Sequence, residues 1–387
     1  MMDEFQIHCP VDEAQTDLPF PADELFPLLE HLKNNQSFSA QFPRGTVTAD
    51  GRLDLCKQNL GVEGCRQVMQ ALKHNSSIHT LLLGTDGIGD AGAQMVAEVV
   101  AQNSTLHTLY LGCNHITDAG TALIAEALMQ HDRIEALWLK RNPIGPQGAE
   151  SLARLLEKTR TLKVLDLVNA MGDPSGIAKI ISVLTHKNRT VRRLYLGGNN
   201  LTAHEAGLLA EMLQKNPTIE ALMLNVGRLQ DEGAAFLAEA LRHNTTLREL
   251  GLASNGIGAR GGRLLFRALR HHPTLQVLDL GYAPSTRVLG TSANTLTDQV
   301  TEDLALLLEH NPVLKHLNLA RTGLTLRSLP ALQEALQKNH TLQELQLEKA
   351  LLLPLRPFLE RNALQTSPGG LPEEVLRIRS VYRSKVL

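Results

Sequence analysis

One pattern of apolar residues recurs eleven times between Asp50 and the C-terminal region, with a period of 28 residues that is broken only twice. A fixed period of this length indicates a solenoid, in which each repeat packs only on its neighbours. Nearly every aliphatic residue is then needed for the shared core, so function must lie in the positions that the repeat leaves free. The clearest copy consists of Leu106, Leu109, Leu111, Asn114, Ile116, Gly120, Leu123, Ala127 and Leu128.

Each repeat has two halves with different periodicities. Residues 106–111 follow the pattern LxxLxL, whose alternation places Leu109 and Leu111 in the core and Tyr110 on the opposite face of a strand. Residues 119–130 instead carry apolar residues at helical spacing. Parallel strands stack about 4.8 Å apart and helices about 8–10 Å apart, so the stack must bend with its strands inward. The predicted fold class is therefore α/β, a horseshoe solenoid with a concave parallel sheet and convex helices.

An asparagine follows the strand in several repeats, at the point where the chain turns away from the sheet. A buried amide at this position can satisfy backbone groups that the turn leaves without partners. We expect the repeats that lack it to have looser or differently bonded turns. The asparagines are Asn114, Asn142, Asn199 and Asn255, and the replacements are Gln58, Asp86, Ala170, Gly227 and Thr322.

The motif LxxLxLxxNxI, followed by GxxGAxxLAxAL, resembles the leucine-rich repeats of ribonuclease inhibitors and of NOD-like receptor sensor regions. The resemblance covers roughly residues 50–350 and implies a leucine-rich-repeat solenoid of about 11 repeats. It also implies that the concave wall binds a protein. Ribonuclease inhibitors proper alternate two repeat types and are rich in cysteine, whereas this chain has near-uniform repeats and four Cys. The resemblance therefore does not extend to ribonuclease binding.

The repeats divide the chain into three predicted regions. Residues 1–49 are acidic and contain a predicted helix, so we expect them to cap the first repeat; an acidic docking arm is the alternative. Residues 50–350 form the solenoid. Residues 351–387 are predicted to be a C-terminal cap and basic tail, in which a helix carrying Arg377 and Arg379 could instead bind a partner.

Composition argues against several classes of protein. A formal net charge of −2 gives no basic field for nucleic acid, and no apolar run is long enough to span a membrane. The N-terminus lacks a signal-peptide pattern, and the four cysteines, Cys9, Cys56, Cys65 and Cys113, show no metal-binding or disulfide spacing. We therefore expect a reduced, cytoplasmic, monomeric protein without metal or cofactor.

Five sites match the pattern for N-glycosylation, and all five occur at the same position of the repeat. That position is the turn between the helix and the next strand. A turn that ends the helix explains these asparagines fully, so we do not interpret them as glycosylation sites. They are Asn75, Asn103, Asn188, Asn244 and Asn339.

The concave wall concentrates the aromatic residues of the repeats. One inward-pointing column contains the only Trp and two of the four Tyr, and charged residues flank it. Aromatic residues dominate protein-binding hot spots, although large rings can also simply pack along a sheet. We expect the Trp138 ring to face away from the core, with Tyr110 and Asp166 on the adjacent strands. The predicted partner-binding residues are Tyr110, Trp138, Lys140, Asp166, Arg193, Tyr195, Met223 and Tyr282.

The repeat that begins at Leu275 is 39 residues long, and its excess lies in residues 281–294. Insertions in repeat proteins fall in loops, often on the binding face. The insertion is therefore either part of a recognition surface or a neutral addition.

No catalytic motif occurs among the repeats. The sequence most favours a non-enzymatic scaffold, inhibitor or recognition module that binds a protein. The alternative is a regulator of a small GTPase, similar to Ran GTPase-activating proteins, for which Arg141 and Arg321 could supply the residue that reaches the nucleotide. Ran GTPase-activating proteins carry an acidic C-terminal tail, whereas this chain ends in basic residues. An effector that acts in a host cell is a third class, physically similar to the first.

Overall fold

The computed structural model describes residues 21–131, 133–365 and 372–382. The chain forms two compact units. The N-terminal unit consists of Met1–Val183 together with Leu371–Leu387, and the C-terminal unit consists of Leu184–Gly370.

In the described part of the N-terminal unit, helix α1 (Phe26–Lys33) precedes the short antiparallel strands β1 (Ala40–Gln41) and β2 (Thr46–Val47), and β2 pairs with β3 (Arg52–Asp54). Five parallel strands then alternate with helices. They are β3 (Arg52–Asp54), α2 (Gly61–Leu72), β4 (Thr80–Leu82), α3 (Gly89–Val100), β5 (Thr108–Tyr110), α4 (Asp118–Met129), β6 (Ala136–Trp138), α5 (Pro146–Lys158), β7 (Val164–Asp166) and α6 (Pro174–His186), within which the division between the units falls.

The C-terminal unit repeats the same alternation with six parallel strands among its described residues. They and the helices are β8 (Arg193–Tyr195), α7 (Ala203–Lys215), β9 (Ala221–Met223), α8 (Gln230–Leu241), β10 (Glu249–Gly251), α9 (Ala259–Leu269), β11 (Val277–Asp279), α10 (Thr301–His310), β12 (His316–Asn318), α11 (Leu329–Lys338), β13 (Glu344–Gln346), α12 (Lys349–Leu352) and α13 (Arg356–Gln365). The last helix, α14 (Glu373–Arg377), belongs to the N-terminal unit.

The register of the strands follows the leucine pattern. Leu109 pairs with Leu137, and Leu137 pairs with Leu165, and all three side chains are fully buried between sheet and helices. The third residue of a parallel strand lies on the opposite face, and within the N-terminal unit Tyr110 pairs with Trp138 and Trp138 with Asp166. The predicted fold class, an α/β leucine-rich-repeat solenoid, is confirmed.

The asparagine that follows the strand in several repeats satisfies backbone groups of the turn, as predicted, and Asn142 also bonds to the preceding repeat. The Asn142 side-chain oxygen accepts hydrogen bonds from the backbone N–H groups of Asn114 (2.9 Å) and Ile116 (3.1 Å). Its amide nitrogen donates to the carbonyls of Leu111 and Leu139, both at 2.9 Å. One fully buried side chain therefore satisfies four backbone groups of two repeats.

Replacing Asn142 with alanine should lower the free energy of unfolding by about 1–3 kcal/mol, because four buried backbone groups lose their partner. Urea denaturation monitored by circular dichroism would measure the change. Asn34→Ala is the matched control, since Asn34 is exposed at the C-terminal end of α1 and its loss should have little effect. Equal midpoints for the two variants would contradict this role of Asn142.

Some repeats bond the same turn with a different side chain. Asp86 replaces the asparagine in one repeat, is fully buried, and accepts a hydrogen bond from the Gln58 backbone N–H at 2.9 Å. Burial raises the pKa of this carboxyl well above its usual value, because charge is unfavourable away from water. Thr322 donates its hydroxyl to the Leu319 carbonyl at 2.7 Å. The prediction of differently bonded turns is confirmed at both positions.

A second set of buried side chains bonds the turn that follows each helix. The Asn103 oxygen accepts from the backbone N–H groups of Thr105 (2.8 Å) and Leu106 (3.0 Å), while its nitrogen donates to the Leu72 carbonyl (2.7 Å) of the preceding repeat. All five asparagines of the glycosylation pattern are buried, which confirms the turn interpretation. His272 occupies the same position of its repeat.

The insertion lies before the asparagine of its repeat. Asn294 takes the usual role, since its oxygen accepts from the backbone N–H groups of Asn255 (3.0 Å) and Ile257 (2.9 Å). The extra residues are held on the preceding repeat by Ser254, whose hydroxyl oxygen accepts from Ala283 N–H (2.9 Å) and from the Thr286 hydroxyl (2.6 Å). The insertion is thus bonded to the solenoid.

Among the described residues, Cys56, Cys65 and Cys113 are buried, and Cys9 lies outside that part of the chain. No helix within the described ranges has the length and apolar character needed to cross a bilayer.

Candidate functional site

The strand wall of the N-terminal unit carries the predicted aromatic pair. Tyr110 and Trp138 are paired residues of β5 and β6, and their ring centroids are 6.4 Å apart with an interplanar angle of 37°. Asp166 is the paired residue on β7. The Lys140 ammonium lies 5.6 Å from the centroid of the Tyr110 ring, within the range of a cation–π interaction. The predicted neighbours of Trp138 are confirmed.

The Trp138 ring lies on the predicted face of its strand, but it is buried rather than exposed to solvent. Tyr110, Trp138 and Asp166 are only 2%, 4% and 2% exposed. Glycines explain part of the packing at Tyr110: a Cβ atom on Gly84 would lie 2.4 Å from the ring, and one on Gly112 would lie 3.2 Å from its hydroxyl. The Tyr110 ring therefore lies flat against the wall, next to glycines that have no side chains. Both rings are therefore packed within the protein, and the role of these residues in partner binding stays a prediction.

The C-terminal segment, defined as residues 372–382, lies against this same wall. Ser380 donates its hydroxyl to one carboxylate oxygen of Asp54 (3.0 Å), and the Val381 backbone N–H donates to the other (2.8 Å). Asp54 also accepts from the Cys56 backbone N–H at 3.2 Å. Both Asp54 and Ser380 are buried. Asp54, whose side chain lies on the strand wall, is thus hydrogen-bonded by the C-terminal segment, which is distant in sequence.

Three further hydrogen bonds connect the C-terminal segment to the wall. The hydroxyls of Tyr382 and Thr46 are 2.7 Å apart. The Arg52 guanidinium donates to the Leu376 carbonyl at 3.2 Å. Arg377 contacts the Glu135 carboxylate at 3.3 Å. The contacts therefore extend along the segment from α14 to its last described residue.

Glu135 is a second acidic contact on the wall. Its carboxylate bonds the Lys163 ammonium at 2.7 Å as well as Arg377. Partial burial opposes the charged form, but the hydrogen bond from Lys163 and the positive charges of Lys163 and Arg377 lower the pKa of Glu135 overall. This carboxylate therefore stays ionised and can hold a basic side chain.

A cleft of about 530 Å³ separates α14 from the strands beneath it. The His79 and His107 rings lie on its floor and stack 5.6 Å apart at 10°. Burial, followed by the neighbouring His79, lowers the pKa of His107. The cleft is lined by Asp50, Arg52, His79, Thr80, His107, Glu373, Leu376, Arg377 and Arg379.

The strand wall of the C-terminal unit contains a partly buried ion pair. Arg193 on β8 reaches Glu249 on β10 with two hydrogen bonds, of 3.0 and 2.5 Å, and also donates to the Tyr195 hydroxyl at 3.2 Å. Burial opposes the charge on Arg193, but the bonds to Glu249 and Tyr195 raise its pKa above the usual value. The Arg193 guanidinium is therefore engaged by side chains of the wall, and its hydrogen bond to the hydroxyl fixes the position of the Tyr195 ring.

Larger side chains beside this pair are half-buried and reach the surface of the wall. Tyr195 and Met223 are paired residues of β8 and β9. Tyr282, just after β11, lies beneath the Arg321 guanidinium, which is 5.0 Å from the ring centroid. A mixed aromatic, thioether and charged surface results.

The eight predicted residues thus fall into two groups. Tyr110, Trp138, Lys140 and Asp166 lie on the N-terminal wall, and Arg193, Tyr195, Met223 and Tyr282 lie on the C-terminal wall. Sequence reasoning missed the contact of the C-terminal segment with Asp54, although it identified the C-terminal region as basic. Within the ranges 21–131, 133–365 and 372–382, no group of three or more His, Cys, Asp or Glu could hold a metal ion.

Comparison with known proteins supports the repeat assignment. The family model described as leucine rich repeat matches residues 102–125 and 243–266. Leiomodin-1 actin-binding site 2 is similar to 48% of this chain and 88% of its own, with 19% identity and a TM-score of 0.33. The tropomodulin C-terminal domain of Caenorhabditis elegans is similar to 42% of this chain and 94% of its own, with 18% identity and a TM-score of 0.34. No curated protein sequence matches the chain significantly.

Proposed function

We propose that this chain is a non-enzymatic protein-interaction module that binds a protein partner on the strand side of its repeats. It acts in the cytoplasm as a monomer, and its repeats are of a type similar to those of ribonuclease inhibitors. Scaffolding, inhibition and recognition are all compatible with this activity, since each requires a stable surface rather than a reactive group.

The observation that carries the proposal is the surface of the C-terminal wall. Buried leucines of the strands fill the core there, so Tyr195, Met223 and Tyr282 are not needed for it. The bidentate bond between Arg193 and Glu249 holds the Tyr195 side chain in place before any partner arrives. Prearranged aromatic and methionine side chains with a charged rim are favourable for binding proteins, because little ordering is left to be done on association.

Regulation of a small GTPase is the weaker alternative. It needs an arginine that can reach a nucleotide phosphate. Arg321, one of the two arginines considered for this role, lies over the Tyr282 ring instead. No specific feature of Arg141 favours the alternative either.

The double variant Tyr195→Ala, Met223→Ala should weaken partner binding about thirtyfold or more, because two adjacent hot-spot side chains are lost. The partner would be identified by cross-linking to the full chain, and its dissociation constant measured by calorimetry. Phe236→Ala is the control, since Phe236 is an exposed apolar residue on the opposite, helical side. Full affinity in the double variant together with a loss in the control would place the interface on the helices.

A further inference from the structure

We propose that the strand wall from β3 to β6 is a peptide-binding groove, which the C-terminal segment of the same chain occupies in cis. A partner of this groove must then present the chemistry of that segment: a basic stretch followed by a hydroxyl side chain and a free backbone N–H. The inference rests on the proposed function, since it identifies the class of partner for one of the two strand walls.

Asp54 is the first step of the argument, because its position in the repeat leaves one oxygen for a ligand. Column carboxylates at Asp166 and Asp279 also accept a backbone N–H two residues later, at 2.8 and 3.0 Å. Asp54 does the same with Cys56 through one oxygen. Its second oxygen receives the Val381 backbone N–H. The second Asp54 oxygen can thus accept a hydrogen bond from a backbone N–H of an added peptide, whichever side chain that peptide residue carries.

The side chains around Asp54 determine which chain fits. Ser380 donates its hydroxyl to the first oxygen of Asp54, and Tyr382 bonds Thr46. Glu135, three strands away on the same wall, holds Arg377. These contacts select an arginine, then a serine three residues later, and a tyrosine two residues after that. An acidic or purely apolar peptide would leave the buried Asp54 carboxylate with only the Cys56 backbone N–H as a donor, and Glu135 would lose its contact with Arg377.

The C-terminal segment is loosely packed on the wall, as expected for a ligand that can dissociate from the groove. Helix α14 has no buried residue, and the apolar side chains of Leu376 and Val381 are 37% and 55% exposed. The cleft of about 530 Å³ beneath α14 further shows that the helix is not close-packed on the strands. A core helix would bury its apolar residues, so the polar contacts described above are the main attachment of the segment to the wall.

Covalent attachment explains how such a polar contact persists. A segment tethered beside its own site acts at an effective concentration on the order of millimolar, so contacts too weak for a free peptide are sufficient. A partner with the same chemistry competes against this internal ligand. A partner therefore binds to the groove only if its affinity is high enough to displace the C-terminal segment.

The first test measures the amide hydrogen exchange of residues 376–382 in the full chain. Protection should be present in the parent and lost in Asp54→Asn, in which an amide nitrogen or a poorer acceptor faces Val381. Asp279→Asn is the matched control, because Asp279 occupies the same column position in the other unit and makes the same bond within its own repeat. Equal exchange in the parent and in Asp54→Asn would overturn the proposal.

The second test uses a fluorescent synthetic peptide of residues 372–387 and the full-length variant Ser380→Asp. A carboxylate at position 380 would be held next to that of Asp54, so the segment should leave and the free peptide should bind at least about tenfold more tightly than to the parent. Binding no tighter than to the parent would overturn the proposal.

The two tests are independent of the partner experiment. If Tyr195→Ala, Met223→Ala leaves partner affinity intact while the peptide behaves as expected, the proposed interface fails and the groove stands. If the partner loses affinity but the peptide does not bind to Ser380→Asp, the groove fails and the proposed interface stands.

Discussion

Replacing Trp138 with alanine should lower the free energy of unfolding by about 3–5 kcal/mol, the usual cost of removing a large buried ring. Trp138 is 4% exposed on the strand wall and packs beside Tyr110. Its loss would leave a cavity that the neighbouring backbone strands cannot close, because their register is fixed by hydrogen bonds on both sides. The residue that most resembles a binding hot spot in the sequence is thus expected to be a stability residue.

Urea denaturation followed by circular dichroism would measure the effect, since Trp138 is the only tryptophan and its fluorescence is lost in the variant. Met223→Ala is a matched control: Met223 is a column residue as well, but it is half-buried and should cost about 1 kcal/mol. An unfolding midpoint of Trp138→Ala equal to that of the parent would show that the ring does not pack in solution. Any binding defect of Trp138→Ala has to be measured where the variant is fully folded.

The repeat predicted the fold because each of its positions has one physical role. Alternation of Leu109 with Tyr110 fixes which face of the strand is buried, and the 28-residue period fixes which residues of neighbouring strands pair. The role of Asn142 also followed from the repeat, since its amide carries both donors and an acceptor for the backbone groups of two turns. Local periodicity is sufficient for all of these features.

The state of the strand walls could not be predicted in the same way. Periodicity places Trp138 on the wall but says nothing about what surrounds the ring there. The contact between Ser380 and Asp54 joins residues 326 positions apart, outside the repeat. Glycines at positions 84 and 112, next to the column, were the available sign that the Tyr110 ring lies flat. A wall position in a solenoid is therefore a candidate for binding only after its neighbours and the chain ends are placed.

Acidification should destabilise the protein through His272, by about 3 kcal/mol once the pH is below 4. His272 is buried, and its Nδ1 atom accepts the backbone N–H groups of Thr274 (3.3 Å) and Leu275 (3.1 Å). Burial lowers the pKa of His272 from 6.5 to about 4, with the Asn244 backbone opposing the shift. Because the pKa is lowered in the folded state, the stability contribution is complete above pH 6.5 and is lost as the pH falls from 6.5 towards 4.

The physical reason is the number of lone pairs on the ring. A protonated imidazole has no acceptor, so the two backbone N–H groups would lose their partner at the moment when a charge is placed in the turn. Asparagine occupies the same position at Asn244 and Asn339 and accepts the equivalent N–H groups without titrating. His272→Asn should therefore keep the turn and remove this part of the pH dependence.

Urea denaturation of the parent and of His272→Asn between pH 7.5 and 4 would test the prediction, with the difference between the two proteins as the measured quantity. His243→Asn is the control for the substitution itself, because the His243 side chain is 71% exposed. Parallel curves for the parent and His272→Asn would mean that the ring is protonated in the folded protein or that the turn opens before it titrates. A gap that widens by about 3 kcal/mol as the pH falls would identify His272 as the titrating member of an otherwise neutral row of turn side chains.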